Sequence, residues 1–245
     1  MTHIARYLAP AGMVLALLLG GCRHQAEEKE PWIFQNPYPQ PTTLAVTVFL
    51  NQSGSEALDP VAVTDQFYTE LQQVPGLQVI PVNRVLAALA QLRIDHVRGP
   101  EDAINLADLL GADGIIVGAI TRYDPYYPPV MGMVVQLYSR QEKMVAAEPN
   151  RVEPWQMARA AAPLEMPMSP ELRPKASLVR IYDARAKEVV KRLQAYAKPR
   201  GGDQSPYGWK KYTTRANYLG FVSHEIIGEL LTLEQQRLAL NRGVN

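Results

Sequence analysis

LADLLGADGIIVGAITR, residues Leu106–Arg122, runs straight from a helix into a strand. Ile104, Ala107 and Leu110 recur at helical spacing after Gly99-Pro100. Proline suits the first helical position, where its missing N–H has no partner to lose. Gly111 fits the left-handed position that stops a helix. Ile115 to Ile120 is continuously apolar and too short for a helix of its own. It reads as a strand buried on both faces, the mark of a sheet centre flanked by helices.

Leu44 to Leu50, apolar apart from Thr47, is a second such strand. After the loop Asn51–Ser55, Asp59-Pro60 opens a helix, with Asp as side-chain cap and Pro in the first turn. Val63, Phe67, Leu71 and Val74 form one face of it, and Pro75-Gly76 stops it. Leu77 to Ile80 is a short strand. Asn83 can cap the next helix, whose face is Val85, Leu86, Leu89 and Leu92. Met133 to Tyr138 is a fourth strand candidate. Residues 140–175 contain Pro149, Pro154, Pro163, Pro167, Pro170 and Pro174, which forbid long regular elements and mark an insertion. Ser177 to Asp183 alternates as a strand does. Glu188 to Ala197 fits a helix continuing from Ala184, or the return strand of a hairpin turning at 184–187. Thr213 or Thr214 caps a final helix with Tyr218, Val222, Ile226, Leu230 and Leu233 on one stripe. This order predicts an α/β sandwich with a mixed sheet, one domain over residues 44–240 interrupted at 140–175.

The amino terminus states a destination. Arg6 precedes the short apolar run Tyr7–Leu19, and Leu19, Gly20, Gly21 and Cys22 read as a bacterial lipobox. About 13 apolar residues are too few to span a bilayer, which needs ~20. Cleavage before Cys22 would make residues 1–21 a signal peptide and leave a lipid-modified cysteine at the new terminus. An ordinary signal peptide with an incidental cysteine is the competing reading. Cys22 is the one cysteine of the chain, so no disulfide can form within it. Residues 22–43 read as a tether, with Glu27 to Glu30 charged and Pro31, Pro37, Pro39 and Pro41 favouring extended chain. About 20 such residues at ~3.1 Å each reach on the order of 60 Å. Trp32, Phe34 and Tyr38 within it either dock elsewhere or pack back on the domain. Removing residues 1–21 takes away one base, Arg6, and no acid, so 24 basic and 24 acidic side chains remain. That balance leaves no electrostatic footprint for nucleic acid.

The segments LAVTVFLNQSG, ALDPVAVTDQFYTEL, GLQVIPVNRVLAAL, AINLADLLGADGIIVGAITRYD and ASLVRIYDARAKEVV, followed by a closing helix, resemble the curli-secretion-channel lipoprotein family and the related TolB amino-terminal-like domains. The resemblance covers roughly residues 44–138 and 176–235. It implies a TolB amino-terminal (anticodon-binding-like) α/β fold, which periplasmic lipoprotein activators of penicillin-binding proteins share. It favours the hairpin for 188–197. It also implies an envelope location, and by resemblance to the known sorting rule Arg23 after the cysteine favours the outer membrane, facing the periplasm. The curli channel builds a barrel from subunit hairpins, and such strands need ~9–11 residues of unbroken alternation. Six prolines break 140–175, and adjacent Lys191 and Arg192 break 188–197, so no pore is expected.

Candidate chemistry is sparse. His96 sits in a loop and His224 in the last helix, without metal-ligand spacing to each other, and no metal or other cofactor is expected. Glu225 beside His224 points to another helix face, and no nucleophile elbow, Walker loop or dinucleotide fingerprint is present. Asn51–Ser55 between strand and helix is either an anion-binding loop or a plain turn. Tyr207, Trp209 and Tyr212 beside Lys210 and Lys211 are either a glycan-binding cluster or packing around the last helix. Tyr123-Asp124-Pro125-Tyr126-Tyr127-Pro128-Pro129 is the most unusual segment. Large amphipathic rings on a stiff loop suit a docking site built from Tyr123, Tyr126 and Tyr127. The other reading is a lid folded over its own sheet.

The expected role is therefore a non-catalytic lipoprotein, anchored in the outer membrane by its lipid. It acts by protein–protein contact in an envelope assembly, secretion or flagellar-type machine, with homo-oligomerisation possible. Two alternatives stand beside it: an activator of a peptidoglycan synthase, and an envelope glycan-acting enzyme, which would need a clustered carboxylate pair. Cys22→Ser should leave the precursor uncleaved by lipoprotein signal peptidase and unlabelled by a clickable fatty acid. Equal labelling of wild type and variant would refute the lipobox.

Overall fold

The computed structural model describes residues 34–139 and 172–242. The lipobox, Cys22, the tether up to Ile33 and most of the proline-rich insertion lie outside the described residues. The elements are β1 (Thr42–Val46), β2 (Leu50–Asn51), α1 (Pro60–Leu71), β3 (Leu77–Val79), α2 (Val82–Leu92), α3 (Pro100–Leu110), β4 (Gly114–Asp124), β5 (Val130–Ser139), β6 (Ala176–Asp183), α4 (Lys187–Ala197) and α5 (Arg215–Arg242). Two short 3-10 turns join α4 to α5.

The strands form one mixed sheet in the order β3-β1-β4-β5-β6, with β2 extending β1 along β4. β1 is parallel to β3 and β4, whereas β4–β5 and β5–β6 are antiparallel. One face carries the main core. Leu44, Val46, Ile116, Ile120, Met133 and Leu178 pack there against buried residues of α1, α4 and α5. The opposite face carries α2 and α3, whose Val85, Leu89, Ala103 and Leu106 meet Ala45, Ile115 and Tyr138. The chain is thus an α/β sandwich.

Local signals act as their chemistry dictates. The Asp59 carboxylate accepts from Val61 N at 3.0 Å and Ala62 N at 3.2 Å, capping α1. Gly111 ends α3 at φ 66°. α2 instead begins at Val82 after Pro81, so Asn83 lies inside it and makes no cap.

Leu44–Leu50 is not one strand. Thr47 N–H still donates to Ile116 O at 2.9 Å, but Phe49 N–H leaves the ladder and donates to Thr64 Oγ1 at 3.0 Å. The detour turns Phe49 into the core, edge-on to Phe67 at 5.1 Å. Gly118 makes room, since a Cβ there would lie 2.6 Å from Val134 O and 3.0 Å from the Phe49 ring.

Residues 187–197 form the helix α4, not the hairpin strand that the resemblance favoured. Val189, Leu193 and Tyr196 fall on one helical face and are buried. Arg192 turns towards α5 and pairs with Glu225 and Glu229, while Lys191 faces solvent. Two adjacent cations that would misfit either register of a strand occupy different faces of a helix.

Tether residues at its end belong to the folded domain. Tyr38 is buried, and its hydroxyl donates to Glu234 Oε2 at 3.0 Å. Asn36 Nδ2 donates to Gly76 O at 2.9 Å. Phe34 packs on His224 with ring centroids 4.5 Å apart, in a notch left by Gly228.

Ile116 is fully buried, whereas Val117 is only half-buried, packed at the margin of the α2–α3 cluster. Ile116→Asp should therefore cost several kcal/mol and abolish cooperative thermal unfolding. Val117→Asp should keep a cooperative transition. Equal melting of the two variants would contradict the half-covered sheet.

Candidate functional site

The loop between β4 and β5 is aimed by one extra residue. Ile120 pairs with Met133, but Arg122 pairs with Gly132, so Thr121 is a β-bulge. Without it, alternation would send Arg122 inward. With it, Tyr123 lies opposite Met131 and packs half-buried against the main core, while Thr121 and Arg122 face solvent. Gly132 sits under the bulge. A Cβ there would meet Thr121 Oγ1 at 3.0 Å and Ile181 Cγ1 at 3.2 Å.

Beyond Tyr123 the rings turn outward. Tyr126 is 78% exposed and Tyr127 65% exposed. The loop is fixed nonetheless. Tyr126 N–H donates to Asp124 Oδ1 at 3.1 Å, and Ala184 N–H donates to Pro129 O at 3.0 Å. The three tyrosines thus divide: one ring packs inward and two project from a braced loop.

Next to this loop the sheet is uncovered. Because α2 and α3 shield only the Ile115–Tyr138 end, Val117, Val134 and Gln136 line an open cleft of about 220 Å³ walled by Leu50 and Arg98. Val179 and Ile181 of β6 continue the same face, 61% and 55% exposed. The register sets Val134 opposite Val179 and Gly132 opposite Ile181, so this apolar strip runs towards the tyrosine loop. Asp183 sits at its end. Hydrogen bonds from Arg185, at 2.8 Å from Nε and 2.7 Å from Nη2, hold its carboxyl down to about 2, well below the usual carboxylate range.

The remaining candidates serve the fold. Asn51, Ser53 and Ser55 bond to one another, and Asp59 occupies the helix terminus, so the 51–55 loop is a turn. Tyr212 is buried against Tyr196 and donates to Arg200 O, and Trp209 packs on the core, while Tyr207 stands exposed with Lys210 over its ring at 4.7 Å. His224 Nδ1 lies 3.5 Å from Glu70 Oε2. The buried Glu70 carboxylate also accepts from the Tyr196 hydroxyl at 3.1 Å, tying α1, α4 and α5 together. Burial and the neighbouring Glu70 push the Tyr196 hydroxyl well above the ordinary phenol range. Burial would raise Glu229 as well, but hydrogen bonds from Arg192 and Arg180 outweigh it and hold that carboxyl low. His96 is an exposed loop residue. Among the described residues no group of three His, Cys, Asp or Glu side chains is placed to hold a metal ion.

Neither a protein-family model nor a curated protein matches the chain. Solved structures similar to it include the LpoB C-terminal domain from Salmonella enterica, at 18% identity over 42% of this chain and 76% of that one, with TM-score 0.36. The lipoprotein GNA1162 from Neisseria meningitidis is 15% identical over 68% and 99% of the two chains, with TM-score 0.37. The PelC dodecamer from Paraburkholderia phytofirmans is 12% identical over 82% and 94%, with TM-score 0.32.

The division of the loop predicts a split in stability. Tyr123→Ala should lose about 1–2 kcal/mol of buried ring and lower Tm by roughly 4 °C. Tyr126→Ala with Tyr127→Ala should leave Tm within about 1 °C of wild type by differential scanning calorimetry.

Proposed function

We propose that the chain is a lipid-anchored lipoprotein of the cell envelope, facing the periplasm from the outer membrane. It has no catalytic chemistry of its own and acts by protein–protein contact. The observation that carries this reading is the pair Tyr126 and Tyr127, held in solvent on a braced loop beside an uncovered apolar strip. Tyrosines on a preorganised loop contribute contact area with little ordering entropy at binding, which is the composition of interface hot spots. The lipobox supports the anchor, and the neutral mature charge fits a protein partner better than nucleic acid.

Within that class the more specific reading is activation of a peptidoglycan synthase. The tether supports it, since the dozen or so residues between Cys22 and Phe34, if extended at ~3.1 Å each, give a reach on the order of 35 Å from the outer membrane towards the cell wall. So does the sequence resemblance to domains that include such activators. The wider reading, a subunit of another assembly, secretion or flagellar-type machine with the curli/TolB kind of domain, rests on the same loop.

Two measurements separate these. The full lipoprotein, cross-linked in intact cells and recovered from membranes, should bring down an envelope protein. Tyr126→Ala with Tyr127→Ala should lose that protein while keeping its Tm. Wild-type recovery by the double variant would exclude the loop as the docking site. The purified chain should then raise glycan polymerisation by a peptidoglycan synthase from the same cells. No change in that rate, with partner recovery intact, would assign the chain to another machine.

A further inference from the structure

β6 closes the sheet on one side, and its backbone points in two directions. Ala184 N–H donates to Pro129 O, and the register runs back through Tyr182 opposite Met131, Arg180 opposite Met133 and Leu178 opposite Val135. Bonded and non-bonded pairs alternate in an antiparallel ladder. The even-numbered residues therefore bond to β5, and the amides of Ser177, Val179 and Ile181 point away from the sheet. The carbonyl of Val179 shows this directly, because it accepts from Arg180 Nη1 at 3.0 Å. Among the described residues no strand pairs with this edge. Val179 and Ile181 also expose their side chains. An apolar edge with outward amides is a template for another strand.

We propose that this edge pairs antiparallel with the β6 edge of a second copy of the chain, about a twofold axis through Val179, joining the two sheets into one.

The strand is self-complementary in that register. Val179 faces its counterpart and Ser177 faces Ile181, and the outward ladder ends there because Lys175 N–H turns back to Leu137 O at 2.7 Å. Like charges set directly across a ladder oppose pairing. Moving the axis to Arg180 would set two guanidinium groups face to face. Moving it to Ile181 would set Val179 against Asp183. About Val179, each Arg180 stays beside its own Glu229, 2.5 Å away, so no uncompensated cation meets another. The bond that Arg180 makes to Val179 O occupies the place that the counterpart's Val179 N–H takes.

This inference is independent of the tyrosine loop and is tested on the purified full chain in mild detergent. Val179→Cys should form a disulfide-linked dimer under mild oxidation. Bonded antiparallel pairs hold Cα atoms about 5.5 Å apart, within the span of a disulfide. Ser177→Cys should not link to itself, since its counterpart lies about 13 Å along the ladder, but a mixture of Ser177→Cys and Ile181→Cys should link. The parent chain, with Cys22 alone, is the blank. Val179→Arg should keep the wild-type Tm and halve the mass seen by light scattering. A folded Val179→Cys chain that does not link overturns the proposal. So does equal linking at all three positions, or a wild-type chain of monomer mass. Preferential linkage of Val179→Cys to a different envelope protein also overturns it, and gives the edge to that occupant.

Discussion

The structure depends on β4 being bonded along both sides. A buried strand must find partners for every N–H and C=O, and β4 finds them in β1 and β2 on one flank and β5 on the other. Where β1 gives way to β2, Phe49 N–H turns from the ladder to the Thr64 hydroxyl, which itself donates to Pro60 O at 2.8 Å. The strand break and the first turn of α1 are therefore one hydrogen-bonded unit. Phe49 fills the space that the absent side chain of Gly118 leaves, so β4, β5 and α1 constrain one another through a single ring.

The same strand decides what the molecule presents to solvent. Its first half lies under α2 and α3, while its second half leaves their cover and meets the bulge at Thr121. The bulge shifts the alternation by one residue. Tyr123 is thereby drawn inward, and the chain enters the Pro125–Pro129 loop with its next two rings directed outward. An uncovered apolar strip and an exposed aromatic loop are two results of one geometry.

Much of this was legible in the sequence because it is local. A continuous apolar run marks a doubly covered strand, Asp59-Pro60 marks a helix start, and Gly111 marks a helix end, each through its own nearest neighbours. What was not legible depends on distant residues. Val189-Val190-Lys191-Arg192 alone suits a strand as well as a helix. Its helical state is secured by Glu225 and Glu229 on α5 and by the fit of Leu193 and Tyr196 into the core. That Phe34 and Tyr38 could pack back on the domain was readable, but not what they meet, since their partners Gly228 and Glu234 lie almost the whole chain away. Which of the three tyrosines turns inward rests on a bulge whose one sequence trace is Gly132.

The two edges of the sheet are built differently, and the difference has a direction. β3 is three residues long and flanked by Pro75 and Pro81, which suits an edge meant to stay single. β6 runs for eight residues, and no proline interrupts it. Its guarding charge, Arg180, is held by Glu229 towards α5 and leaves Val179 and Ile181 bare on the other face. Through the pairing of Val130 with Asp183, the tyrosine loop stands at one end of this edge. A twofold centred on Val179 would place the Asp183 ends eight residues apart along the shared ladder, roughly 27 Å. The two tyrosine loops would then flank the joint without blocking it. A partner with two matching sites would meet both loops at once, and linked contacts multiply affinity when the geometry lets both engage. Edge and loop are thus compatible surfaces, one suited to joining copies and the other to what the joined copies hold.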